Sequence, residues 1–179
     1  MVKGIKNLIF DFGGVLINLD RTACREAFEK LGIASIHESV LDDYRQKELY
    51  MQLESGNISA ATFRASMRRL SDQQLTDSQI DEAWVSILGD IPSYKLDWLL
   101  ELRKQYHILL LSNTNSIHWQ WAVQNRFQYK GHKVLQDSMI TADSTFFIDD
   151  SAINCKAAEA VGIQTYCCPA GSDWTFLFK

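Results

Sequence analysis

The chain has 179 residues, 46% of them hydrophobic and 22% charged, and carries a formal net charge of −4. That length suffices for one full core, or for a core with an insertion, and the acidic balance argues against nucleic acid as a partner. No apolar run reaches the roughly 18 residues of a membrane span, and Cys24, Cys155, Cys167 and Cys168 lack Cys-x-x-Cys metal spacing, so they read as free thiols of a reducing compartment.

The first segment, MVKGIKNLIFDFGGVL, has the basic start and apolar run of a leader peptide. Asp11 interrupts the run and no small-residue cleavage site follows, so a cytoplasmic protein is expected. Ile5–Phe10 is predicted as a buried strand, ended by Asp11 and the turn residues Gly13 and Gly14. Residues 18–91 then show no strand pattern. Helical periodicity runs through Thr22–Leu31, Glu38–Glu54, Ser59–Leu70 and Thr76–Leu88, with Ser59 and Thr76 at N-cap positions and Gly32 and Gly56 at stops.

After Pro92 the pattern alternates. A helix over Tyr94–Tyr106 precedes a strand at His107–Leu111, and the polar run Ser112–Ser116 opens a helix over Ile117–Phe127. A strand at Thr145–Ile148 leads through Asp149, Asp150 and Ser151 into a helix over Ala152–Val161, and a weaker strand covers Gln164–Cys168. Short continuous apolar strands, each ending in a polar loop that opens a helix, define an α/β protein with a doubly wound parallel sheet. The expected organisation is a core of residues 1–17 and 92–179 with a helical cap inserted at 18–91.

Such sheets bind ligands beyond the carboxyl ends of their strands. Three polar clusters fall there: Asp11 with Gly13 and Gly14; Ser112 with Asn113; and Asp149 with Asp150. Facing carboxylates with no basic residue in either motif repel one another unless a cation lies between them, and hard oxygen ligands with a substrate phosphate suit Mg²⁺. Asp11 and Asp150 are accordingly expected about 3–6 Å apart, close enough to share a metal. Glycine at 13 and 14 lets backbone N–H groups approach a phosphoryl oxygen, and Ser112 and Asn113 offer further donors. Asp11 at the strand tip is the candidate carboxylate nucleophile, Asp150 the metal ligand and Asp149 a ligand through water.

The segments FDFGGVL (10–16), LLLSNTN (109–115) and FFIDDSAINCKAA (146–158), in that order, resemble the haloacid dehalogenase (HAD) superfamily of hydrolases. LESGNISAATF (53–63) and DEAWVSILGDIP (81–92) look like the small helical caps of its branch of glucose-1-phosphate phosphatases. The resemblance implies a Rossmann-like core and Mg²⁺-dependent hydrolysis of a small phosphorylated metabolite, a sugar phosphate by preference. It implies a nucleophile at Asp11, metal ligation by Asp11, the Gly13 carbonyl and Asp150, and phosphate binding by Ser112 and the Asn113 amide. Asn154 matches a small polar structural position.

Two departures from the family pattern stand out. Where most of its phosphatases carry a second aspartate, as general acid and base, this chain has Gly13. Asp20 is a candidate replacement, with a solvated hinge residue as the alternative. The family's charge-neutralising lysine, usually in a Lys-Pro pair, is absent, leaving Lys130 and Lys133 as stand-ins in the loop-like YKGHK. Gln128–Ser144 is also too short for the outer strand and helix expected there, although VLQDSMITAD (134–143) reads as the tail of such a helix. The expectation is therefore that this sequence lacks residues of the natural chain, with the junction within Gly131–Leu135, at Val134/Leu135. Two other readings stay open: a metal-independent 2-haloacid dehalogenase, and a catalytically degenerate binder of phosphorylated ligands. His118, Trp84, Trp119 and Trp121 are read as packing residues first and pocket residues second.

Overall fold

In a computed structural model, the residues described are 4–33, 44–129, 132–133 and 142–179; of residues 44–48, 128–129, 132–133 and 142 only the backbone is described. The chain divides into two compact units. The first comprises Met1–Leu19, Asp90–Ser112 and Gln124–Lys179; the second comprises Asp20–Gly89 and Asn113–Val123.

The first unit is built on a four-stranded parallel sheet of β1 (Asn7–Phe10), β2 (His107–Leu110), β5 (Thr145–Asp149) and β6 (Gln164–Cys167), in the order β2-β1-β5-β6. Every residue of β1 and β5 is buried, which requires both faces of these central strands to be covered and explains their unbroken apolar runs. β2 and β6 are partly exposed, as edge strands are. Between β2 and β5 the chain also forms a short antiparallel pair, β3 (Gln128–Tyr129) with β4 (His132–Lys133), where the sequence reads as a loop. The helices of this unit include α5 (Ser93–Leu102), which starts after Pro92, and α7 (Ala152–Ala160), capped by the Ser151 hydroxyl. Leu8, Phe10, Val15, Leu16, Ile17, Ile108, Ile148 and Trp174 are inaccessible to solvent and form its core.

The second unit is helical: α1 (Arg21–Lys30), α2 (Tyr44–Glu54), α3 (Ala60–Arg69) and α4 (Asp77–Val85), with most of α6 (Ser116–Asn125). Its boundaries follow capping chemistry. Asp20 accepts from Ala23 N–H at 2.8 Å, Ser59 accepts from Thr62 N–H at 3.1 Å, and Thr76 and Gln79 form a reciprocal capping box. Gly32 and Gly56 take the left-handed conformation just past α1 and α2. Phe28, Phe63, Met67 and Ile80 are fully buried around Trp84, and Arg64 ties α3 to α4 through a two-pronged bond to Asp81 at 2.7 and 2.8 Å.

The predicted strands and helices recur within a few residues of their expected ends. The exceptions have local causes. Asp149 belongs to β5 although a strand-tip aspartate reads as loop, because Cys167 pairs with it. The helix after Pro92 stops at Leu102, four residues short of Tyr106, whose N–H still donates to Leu102. The front of the Glu38–Glu54 helix, Lys130, the Lys133 side chain and the junction expected within Gly131–Leu135 lie outside the described residues.

Candidate active site

The parallel register brings the site together. Phe10 pairs with Ile148 on one side and Leu110 on the other, so the next residue of each strand emerges at one sheet edge. Asp11 N–H donates to Ile148 O at 2.8 Å, and Leu111 N–H donates to Phe10 O at 3.1 Å, extending both ladders past the last strand residues. Asp11, Asp149 and Asp150 therefore converge, each with a carboxylate oxygen within 4.8 Å of the others. Ser112, at the end of β2, hydrogen-bonds the Asp11 carboxylate.

The electrostatics follow from this crowding. Burial pushes the Asp11 carboxyl up from its ordinary 3.8 to about 6, and the charges of Asp149 and Asp150 push the same way. Hydrogen bonds from Phe12 N–H and Ser112 oppose the rise without cancelling it.

The two neighbouring aspartates are held differently. Asp149 is almost wholly buried, and its carboxylate accepts from Ser151 N–H at 2.6 Å and from the Asn154 amide at 3.1 and 3.3 Å. Asn154 is thus the residue that orients Asp149, one helical turn into α7. Asp150 is half-buried and lies against Gly14.

Gly14 adopts φ +78°, and a Cβ there would sit 2.3 Å from Asp150 Oδ2 and 3.0 Å from its Cγ. Glycine at this position therefore meets two demands: a left-handed backbone and a close approach by a carboxylate. Gly13 is under neither constraint. A Cβ there would meet only the end of the Leu19 side chain, at 3.3 Å.

Other sequence candidates fall elsewhere. Asp20 is exposed and occupied in capping α1. Asn113 is exposed and is grouped with the helical unit. Within that unit His118 is buried and stacked on Trp84 at 4.5 Å, with Nε2 3.1 Å from Trp84 O and Nδ1 3.1 Å from the Asn115 amide. Burial lowers its pKa to about 4, so it is a neutral packing histidine at pH 7. Trp84 lies in the same core, whereas Trp119 is 40% exposed. All four cysteines carry free thiols.

The donor set fits a hard divalent cation. Three carboxylates supply oxygen ligands only, and a cation among them offsets the mutual repulsion that adds to the effect of burial on Asp11.

A parallel α/β sheet with carboxylates at the tips of its central strands and a glycine turn after the first defines a hydrolase-type site of the Rossmann-like class. No family model matches the chain. It is, however, 33% identical over 196 residues to a D-ribitol-5-phosphate phosphatase of Bacteroides thetaiotaomicron, covering 95% of each chain. A crystal structure of a HAD family enzyme from the same organism, in complex with magnesium and inorganic phosphate, matches with 44% identity and a TM-score of 0.86, covering 98% of this chain and 100% of that one. A predicted HAD-like hydrolase from Porphyromonas gingivalis matches with 31% identity and a TM-score of 0.80, covering 98% of both chains. The chain belongs to the HAD family. The 196-residue alignment is longer than the chain's 179 residues, so the phosphatase carries residues that this chain lacks.

Proposed function

We propose that this protein is a Mg²⁺-dependent phosphatase acting on a small sugar or polyol phosphate, with Asp11 as nucleophile. The observation that carries this reading is the convergence of Asp11, Asp149 and Asp150 at one sheet edge, in a family member related to a phosphatase of D-ribitol 5-phosphate. A carboxylate oxygen of Asp11 attacks phosphorus, the P–O bond to the sugar breaks, and an aspartyl-phosphate forms. Water then hydrolyses it, releasing inorganic phosphate and regenerating the carboxylate.

Asp11, the Gly13 carbonyl and Asp150 are assigned to the metal, with Asp149 oriented by Asn154 to bind it through water. Mg²⁺, when bound, supplies positive charge that offsets the carboxylates and the phosphoryl oxygens. Ser112, the Asn113 amide and the backbone at Gly13 are assigned to the phosphoryl oxygens; Gly14, whose N–H donates to Ile17 O at 2.9 Å, is left out of that set. With glycine at position 13 and Asp20 engaged as a cap, the leaving oxygen takes its proton from solvent. We assign substrate selection to the helical insertion at 18–91, read as the cap, and place the protein in the cytoplasm. Among the described residues no helix is long and apolar enough to cross a membrane.

The metal-independent dehalogenase reading is set aside because it leaves three converging carboxylates uncompensated. A phosphate-release screen over sugar and polyol phosphates, D-ribitol 5-phosphate included, tests the proposal. Release is expected with Mg²⁺, and its loss on chelation and in Asp11→Asn. An Asp11→Asn variant as active as the wild type refutes it, and tight ligand binding without turnover favours the degenerate binder.

A further inference from the structure

The carbonyls of Gly14 and Val15, behind the candidate nucleophile, are held by groups that the proposed chemistry does not use. Gly171 N–H donates to Gly14 O at 2.6 Å. Lys95 Nζ donates to Val15 O at 2.5 Å, and Trp174 Nε1–H donates to the same oxygen at 3.3 Å. Lys95 and Trp174 are both 0% exposed.

Lys95 is badly placed for its own stability. Lysine is almost never fully buried unless paired, and its hydrogen-bond acceptor here is a neutral carbonyl. It also lies in the first turn of α5, where the helix dipole disfavours a cation. Burial lowers its pKa, while Cys168 and Asp173 pull the other way. An apolar side chain of similar length would fill the space at lower cost.

What Lys95 does contribute is position. Val15 and Gly14 follow directly on Gly13, and the Gly14 backbone lies against Asp150 so closely that a Cβ would overlap its carboxylate. The C-terminal segment presses on the same point, since the Ala170 methyl would lie 3.3 Å from that Cβ. A loop free to move by a few tenths of an ångström would change the spacing of Asp11 and Asp150. Mg²⁺ tolerates such change poorly, because it demands near-ideal octahedral geometry with ligands at about 2.1 Å.

We propose that Lys95 is a positioning residue: with Trp174 and Gly171 it clamps the loop after Asp11 so that the Asp11–Asp150 spacing suits a small divalent cation. The catalytic consequence rests on the phosphatase reading, whereas the metal-binding consequence does not.

Lys95→Met tests this, since it keeps length and removes charge and donor. The readouts are chemical unfolding of the metal-free protein, Mg²⁺ binding by calorimetry, and the separate kcat and KM of phosphate release. The expected result is an unfolding midpoint equal to or above wild type, a Mg²⁺ Kd weakened at least fivefold, and a fall in kcat larger than the rise in KM. A folded variant whose Mg²⁺ Kd changes by less than fivefold overturns the proposal. If Lys95→Met does not fold, Trp174→Phe, which keeps a ring but loses the N–H, decides. Its Mg²⁺ Kd is expected to weaken at least twofold, and a smaller change overturns the clamp. Wild-type protein that binds Mg²⁺ yet releases no phosphate from any ester would remove the phosphatase reading and leave the clamp standing.

Discussion

Replacing Gly14 by alanine adds one methyl group and separates two contributions that the structure lets us size. The first is conformational: φ of +78° costs a residue with a Cβ about 1–2 kcal/mol. The second is steric: the methyl would lie 2.3 Å from Asp150 Oδ2, 3.0 Å from its Cγ and 3.3 Å from the Ala170 methyl, an overlap worth about 1–3 kcal/mol. Gly4 is the internal control, because it has φ +90° and nothing within 4 Å of its own Cβ position. Gly4→Ala should therefore lose only the conformational part, and Gly14→Ala about 2–5 kcal/mol in all. Relief of the overlap requires Asp150 to rotate or the loop to withdraw, and either displaces a proposed metal ligand. Urea unfolding measures the stability difference and calorimetry the Mg²⁺ affinity, expected to fall more than tenfold in Gly14→Ala and to hold in Gly4→Ala. Wild-type Mg²⁺ affinity in a folded Gly14→Ala would refute the link between this turn and the metal site.

Three further predictions address charge, chemistry and chain length. Folded Asp11 keeps its proton up to about pH 6 while the unfolded residue loses it near 3.8, so metal-free protein should lose about 1–3 kcal/mol as pH rises from 4 to 6. That loss should vanish in Asp11→Asn, and an unchanged pH–stability profile there would show that another group is responsible. Gly13→Asp should fold, since position 13 has an ordinary φ and only the Leu19 side chain nearby, and should raise turnover of poor leaving groups by about 10²-fold if a general acid is what the site lacks; unchanged kcat in the folded variant counts against that. Peptide mapping of the natural protein with a protease that does not cut at lysine should fail to find Gly131 to Leu135 in one uninterrupted peptide, and finding them contiguous shows that no segment is missing there.

Much of the fold was legible because its signals are local. Buried parallel strands such as NLIF and TFFID have no alternation to misread, and Ser59, Thr76 and Gly32 mark helix ends through hydrogen bonds spanning three residues or fewer or through a single φ. The carboxylate cluster was legible one step further on, because a parallel sheet sends consecutive strand ends to one edge. Asp20 shows the limit of this reasoning: an aspartate before a helix and a proton donor near a nucleophile look alike in sequence, and only the 2.8 Å bond to Ala23 N–H separates them. Lys95 could not have been found, since YKLDWLLELRKQY presents it as a solvated helix residue. Its role depends on Val15, eighty positions away. His118 reads as a packing residue in sequence and is one, but its partner Trp84 lies 34 positions away, across a contact that no local pattern names.

The adjacent aspartates at the end of β5 make the last distinction, because identical side chains one residue apart carry different burdens. Asp149 pairs in register with Cys167, lies under the N-terminus of α7, and already accepts hydrogen bonds from a backbone N–H and an amide. Those donors fix the direction of its carboxylate, as the water-mediated metal contact proposed for it requires. Asp150 points into the space that Gly14 vacates by having no side chain. A backbone turn in another part of the chain therefore bounds the space open to it, and Gly171, Trp174 and Lys95 hydrogen-bond that turn. The two glycines that follow the proposed nucleophile, Asp11, thus have different reasons to be glycine. Gly14 is required by Asp150 and by its own φ. Gly13 leaves room where a general acid would stand, and the chemistry proposed here proceeds without one.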